Sequence, residues 1–160
     1  RGSIIPFFFE QAETGILPIT DTRMTRFMIS LDQGVELVWH AFNDMVGGEI
    51  YVKKIPSMKI VDIARSIAPN ARHEVIGMRP GEKLHEQMIS YEDAAHTYEY
   101  PDHYKILPSI NNWDHDPKRI SGGELVANDF TYCSDNNVDW MSVEDLQHWI
   151  EKNKPEISGF

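Results

Sequence analysis

The sequence holds a single cysteine, Cys133, so no internal disulfide can form. A reducing, cytoplasmic setting is the simplest expectation. Long apolar runs are missing too. The longest, residues 4–9, falls far short of the roughly 20 residues a membrane-spanning helix needs. No basic stretch precedes it, so it is not a secretory signal. Basic residues are in deficit, with 15 Lys and Arg against 25 Asp and Glu, a net charge of −10 at pH 7. A surface of that sign repels a phosphate backbone, which excludes a general nucleic-acid binder. It leaves room for one small basic pocket. Neither Gly-x-Gly-x-x-Gly nor Gly-x-x-x-x-Gly-Lys-Ser/Thr occurs, so no recognisable cradle for a cofactor's diphosphate is present. An initiator Met is also lacking, and a chain opening on Arg1 reads as the tail of something longer.

What is there is globular: 41% hydrophobic, 11% aromatic and 25% charged residues over 160 positions. That is one ordinary domain or part of a larger one. Residues 4–11 suit a short helix ended near Gly15, and residues 16–20 a strand. Ser30 with Gln33 forms a capping-box pattern, and Leu31, Val35, Val38, Phe42 and Met45 then share one helical face. Gly47 and Gly48 are the expected stop.

Residues 49–53 alternate as a strand does. A helix is expected from Ser57, with Ile60, Ile63, Ala64 and Ile67 inward and Pro69 closing it. Residues 73–76 read as a strand, Ser90 with Asp93 as the start of a brief helix, and residues 104–107 as a late strand. Residues 108–128, rich in Asn, Asp, Pro and Gly, read as loop. Ser142 caps a final helix with Val143, Leu146, Trp149 and Ile150 on its apolar face. Alternating strands and helices make the class α/β or α+β, with too few strands for a complete doubly wound sheet.

Two stretches could carry chemistry. In Gly77-Met78-Arg79-Pro80-Gly81-Glu82-Lys83-Leu84-His85-Glu86, Pro80 biases Arg79 to an extended backbone and Gly81 permits a sharp turn. Arg79 is then presented at the end of a strand, where a guanidinium grips phosphate bidentately. Glu82 on the same turn can accept ribose hydroxyls. A surface turn with a local Arg–Glu ion pair is the commoner meaning of such spacing. In Thr20-Asp21-Thr22-Arg23-Met24-Thr25-Arg26-Phe27, two arginines and a threonine suit an anion, although paired loop arginines are more often simply solvated. Trp113-Asp114-His115-Asp116 has no second nitrogen or sulfur ligand at helical spacing, so no metal is expected. Cys133 lacks a nucleophile's surroundings. Phe7, Phe8 and Phe9 are read as core.

Taken together, several motifs resemble one family. Arg1-Gly2-Ser3-Ile4-Ile5-Pro6-Phe7-Phe8, Met24-Thr25-Arg26-Phe27, Leu31-Asp32-Gln33-Gly34-Val35, Lys54-Ile55-Pro56-Ser57-Met58, residues 77–90 and Tyr132-Cys133-Ser134-Asp135-Asn136-Asn137 follow the order and spacing of the inverting UDP-N-acetylglucosamine 4,6-dehydratases. These belong to the polysaccharide-biosynthesis branch of the extended short-chain dehydrogenase/reductases. The family's glycine-rich turn and Tyr-x-x-x-Lys pair do not occur in this sequence. The resemblance therefore implies an α/β fold: the C-terminal, substrate-binding lobe of a Rossmann-type NAD(P)-binding enzyme, incomplete without its N-terminal half. It spans residues 1–160, with about 48–55 forming a strand that returns to the Rossmann sheet.

The implied reaction takes UDP-N-acetylglucosamine to a UDP-4-keto-6-deoxy sugar, with NADP passing a hydride from C4 to C6 while water leaves across C5–C6. Arg26 and Arg79 are implied to hold the UDP diphosphate and Glu82 to contact the nucleoside, with Thr25 and Arg1 at the substrate edge. No catalytic residue is expected in this portion, and NADP is expected to be held mainly by the other half. A homo-oligomeric, cytoplasmic enzyme without membrane or nucleic-acid partners completes the expectation. Two alternatives stand beside it. One is another sugar-nucleotide dehydratase or epimerase of the branch; the other is a non-catalytic sugar-nucleotide-binding module.

Overall fold

The computed structural model describes residues 4–153. In chain order its first elements are α1 (Ile4–Ala12), β1 (Ile16–Ile19), β2 (Thr25–Phe27), α2 (Leu31–Asp44), β3 (Ile50–Lys53), β4 (Ser57–Lys59) and α3 (Ile60–Ile67). Then come β5 (Arg72–Val75), β6 (Gln87–Ile89), a 3-10 turn (Tyr91–His96), β7 (Thr97–Glu99) and β8 (His103–Ile106). A second 3-10 turn (Ile110–His115), α4 (Pro117–Ile120), β9 (Glu124–Leu125), β10 (Tyr132–Cys133) and α5 (Val143–Lys152) follow. Within the described residues these elements form two compact units: 4–28 with 56–86 and 137–153, and 29–55 with 87–136.

The first unit is α/β. β1 and β5 pair in parallel, Ile16 opposite Arg72 through Ile19 opposite Val75. β2 and β4 pair antiparallel, Arg26 opposite Met58. Phe8, Leu17, Ile19, Met24, Met58, Ile60, Ile63, Ala64, Leu146 and Ile150 make the core. In α3 the apolar side chains at 60, 63, 64 and 67 recur at helical spacing, which is why this short helix turns one face inward. α5 begins on a complete capping box, Ser142 with Asp145, as its sequence signals. Phe8 is buried in the core and Phe9 packs against it, whereas Phe7 is exposed.

Ser57 corrects one expectation. It does not cap α3, because residues 57–59 are the strand β4 and the helix starts at Ile60 behind Lys59. Its backbone is committed elsewhere: the N–H donates to Asp139 O at 2.9 Å and the carbonyl accepts from Met141 N–H at 2.9 Å. Its hydroxyl accepts from Asn137 Nδ2 at 3.0 Å.

The second unit is built on an antiparallel sheet of order β3-β8-β7-β9, beside the β6–β10 ribbon. β8 is buried at all four positions, polar ones included. The Lys105 ammonium donates to Arg119 O at 2.9 Å and pairs with Asp44, lying over the Tyr51 and Tyr100 rings. Arg119 in turn pairs with Glu49 at 2.7 Å, both side chains at most 6% exposed. Tyr132 stacks obliquely on Tyr104, and its hydroxyl bonds both the N–H and the carbonyl of Ile55.

α2 carries the capping box read from Ser30 and Gln33. It ends at Asp44, three residues before the glycines, because the Glu49 carboxylate accepts the Val46 and Gly47 N–H groups just beyond it. The apolar face of α2 is not core among the described residues: Leu31, Val35, Val38, Trp39 and Phe42 are all exposed. The stretch 108–128, expected as loop, contains the second 3-10 turn, α4 and β9. α4 starts on Asp116, which accepts from Lys118 N–H, with Pro117 at the first helical position. No helix among the described residues is long and apolar enough to cross a membrane.

Candidate site at the Arg79–Glu86 turn

β5 ends at Val75, and the chain then runs exposed from Ile76 to Gly81. At its tip Glu82 N–H donates to Arg79 O at 3.1 Å, with Pro80 and Gly81 between and Gly81 at φ +82°. Proline followed by a residue at positive φ is the signature of a type II turn, and glycine adopts that backbone without strain. The Glu82 carboxylate braces the turn from inside. One oxygen accepts Arg79 N–H at 3.2 Å and the other accepts the Thr20 hydroxyl at 3.5 Å.

Arg79 itself is exposed, and its guanidinium has no hydrogen bond or ion pair among the described residues. The Arg–Glu contact weighed for this turn is thus backbone to side chain. That leaves a planar cation open to solvent beside a half-buried carboxylate with lone pairs to spare, a combination suited to phosphate and hydroxyl groups on one ligand.

The second stretch comes to the same place. Thr25 N–H donates to Leu84 O at 3.2 Å, and its buried hydroxyl lies 2.7 Å from His85 Nδ1. Arg26 Nη1 donates to Thr25 O at 2.7 Å and Leu84 O at 3.2 Å, and Nη2 to Lys83 O at 3.0 Å. Its Nε lies 3.5 Å from the Glu86 carboxylate. Arg23 stays outside this group. It forms a two-pronged pair with Asp21 at 3.0 and 2.7 Å, and those hydrogen bonds pull the Asp21 carboxyl down to about 2.

Thr25, Arg26, Arg79 and Glu82 are therefore brought onto one segment, while Arg1 lies outside the described residues. His85 and the carbonyls of Lys83 and Leu84 are the parts that the sequence did not point to. The Thr25–His85 pair is 60 residues apart in the chain, and backbone carbonyls carry no side-chain signal.

Other candidates recede. Cys133 is half-buried and its thiol is pushed up by burial and by the nearby Asp135, which disfavours the nucleophilic thiolate. Among the described residues no three His, Cys, Asp or Glu gather as a metal site.

Residues 1–108 match the family described as polysaccharide biosynthesis protein. The chain belongs to that family. It is similar to the inverting UDP-N-acetylglucosamine 4,6-dehydratase of Campylobacter jejuni subsp. jejuni serotype O:2, 51% identical over 153 residues, covering 91% of this chain and 46% of that protein. The UDP-glucose 4-epimerase of Rickettsia conorii is 33% identical over 166 residues, 99% of this chain and 49% of that one. The X-ray structure of Pen from Bacillus thuringiensis matches the fold with a TM-score of 0.78 at 29% identity, covering 96% of this chain and 45% of the other. The chain thus spans about half the length of the relatives it matches. The resemblance read from the motifs agrees with the family match, and the mixed α/β architecture with the structural one.

Proposed function

We propose that this chain is the sugar-nucleotide-binding portion of an inverting UDP-N-acetylglucosamine 4,6-dehydratase, a lyase supplying a UDP-4-keto-6-deoxy sugar for surface polysaccharide or pseudaminic-type sugar synthesis. The observation that carries the reading is the type II turn that presents Arg79, its guanidinium without a partner among the described residues, three residues from Glu82. Arg79 grips the diphosphate and Glu82 accepts a ribose hydroxyl. Thr25 and Arg1 belong to the substrate edge. Arg26 has three N–H···O bonds committed to carbonyls, so the main grip on the diphosphate falls to Arg79.

In this reading the chain is the C-terminal, substrate-binding lobe of a Rossmann-type extended short-chain dehydrogenase/reductase. The strand at about 48–55 returns to the Rossmann sheet. Its counterpart β3 is an edge strand among the described residues, paired on one side only, which supports the proposal. NADP would supply hydride transfer. No glycine-rich cradle for it occurs in these 160 residues, so it is assigned to the rest of the enzyme. The enzyme is proposed to be cytoplasmic and homo-oligomeric. A sugar-nucleotide epimerase is the second reading, supported by the Rickettsia epimerases that align over 99% of the chain.

Titration of UDP into the full-length protein tests the site. Arg79→Lys keeps the charge but loses the planar fork. Losing one charge-assisted hydrogen bond of roughly 1.5–3 kcal/mol weakens UDP by about ten- to a hundredfold. Arg79→Ala costs more and Glu82→Gln less, since an amide oxygen still accepts a hydroxyl. Wild-type affinity in Arg79→Ala would refute the phosphate role.

A further inference from the structure

We propose that Arg26 is a positioning residue: its guanidinium latches the 83–86 segment to β2 and so fixes the turn that carries Arg79 and Glu82. The inference rests on the nucleotide reading above and assigns Arg26 a role within it. Five contacts converge on four consecutive residues. Arg26 Nη2 reaches Lys83 O, Arg26 Nη1 and Thr25 N–H both reach Leu84 O, the Thr25 hydroxyl meets His85, and Arg26 Nε faces Glu86.

At the β5 end Ile76 N–H still donates to Ile19 O at 2.9 Å, but from Gly77 to Gly81 no such ties reach the turn from β2 among the described residues. From Ile76 to Gly81 the residues are exposed, and the turn's own bonds are those between Arg79 and Glu82 with the long Thr20 contact. A solvent-exposed turn of this kind opens easily unless both ends are held; β5 and the Ile76 bond hold the near end, which leaves the far one. The Arg26 fork holds that end, because its two outer nitrogens reach two consecutive carbonyls at once, which a lysine ammonium does not do in the same fixed plane. With the fork in place Arg79 and Glu82 start from a fixed base, so less ordering entropy is lost when the nucleotide binds.

The role separates cleanly from direct phosphate contact. A phosphate ligand matters to UDP and not to uridine, whereas a latch matters to both, since Glu82 rides on the same turn. In the full-length protein, Arg26→Ala and Arg26→Lys are compared with wild type by amide hydrogen exchange over residues 79–86 and by calorimetric titration of UDP and of uridine. Expected are faster exchange in that segment and weaker binding of both probes, by about tenfold in Arg26→Ala and less in Arg26→Lys. KM for the UDP-sugar should rise with kcat near wild type, because the lost binding is shared by ground and transition states.

Unchanged exchange, or a loss confined to UDP, overturns the latch. If Arg26→Ala does not fold, Arg26→Lys carries the same readouts. A wild type that binds neither probe overturns the nucleotide reading itself, and the positioning role with it.

Discussion

At the scale of single residues, the strongest constraints lie on charges taken out of water. Glu49 and Arg119 form a pair with almost no exposed side-chain surface, and Glu49 also accepts the Val46 and Gly47 N–H groups. Removing one member leaves the other charge buried and unpaired, so Arg119→Met should destabilise the chain by roughly 3–5 kcal/mol. The midpoint of urea unfolding measures it, and a shift within the range of a surface change would contradict the pairing. The same groups set an acid limit. Burial opposes ionisation of Glu49 and Asp44. Hydrogen bonds outweigh it, from the backbone at Glu49 and from Lys105 and Tyr51 at Asp44, so both carboxyls lie below their ordinary values. Below the ordinary carboxylate range the unfolded chain then binds more protons than the folded one. The stabilisation is complete above about pH 4.5 and is lost as pH falls through the depressed folded values. Urea midpoints from pH 6 to pH 3 should fall for the wild type, and less steeply for Glu49→Gln, which is weaker throughout but has one titrating group fewer.

Among the elements, those with a period or a cap could be read from sequence, and those without could not. α1, β1, α2, α3, β5, β8 and α5 are legible because apolar spacing, Ser30 and Ser142 announce them. β2, β6, β7, β9 and β10 hold only two or three residues each, too few for an alternation to show. β4 hid for a different reason: Ser57 looks like a cap, but partners some 80 residues away fix its backbone as strand. The site divides likewise. Pro80 and Gly81 announce the turn, whereas the bonds from Arg26 to two carbonyls nearly 60 residues on leave no trace in composition or spacing. Ser30→Ala tests the legible kind. It removes the acceptor for Gln33 N–H and should cost about 1 kcal/mol. Denaturant melts of the two proteins decide, and an unchanged midpoint would mean that the cap seen here does not hold α2.

For the whole molecule, the deciding feature is the apolar face of α2. Val38, Ala41, Phe42 and Met45 line a shallow hollow there, and Leu31, Val35 and Trp39 extend the exposed apolar surface along the helix. A contiguous patch of this kind on a free chain drives association, and the open edge of β3 adds a second route. The 160-residue chain on its own should therefore self-associate. It should also form no 4-keto product from UDP-N-acetylglucosamine and NADP, since it contains neither a Tyr-x-x-x-Lys pair nor a glycine-rich cradle. Phe42→Glu separates patch from edge. Phe42 is 68% exposed, so a charge there should change stability by about 0.5 kcal/mol or less. In the hollow, however, that charge must lose its water before a second chain can cover it, and the cost of desolvating it disfavours the assembly. Sedimentation velocity at several concentrations should show the wild-type chain as a concentration-dependent mixture and Phe42→Glu shifted towards monomer. If the variant associates as strongly as the wild type, association runs through the β3 edge, and Lys53→Pro, which removes an N–H from the open side of that strand while Val52 and Lys54 keep their bonds to the β8 side, should be the change that abolishes it. A dilute wild-type chain that stays monomeric and melts in one sharp transition would overturn both routes.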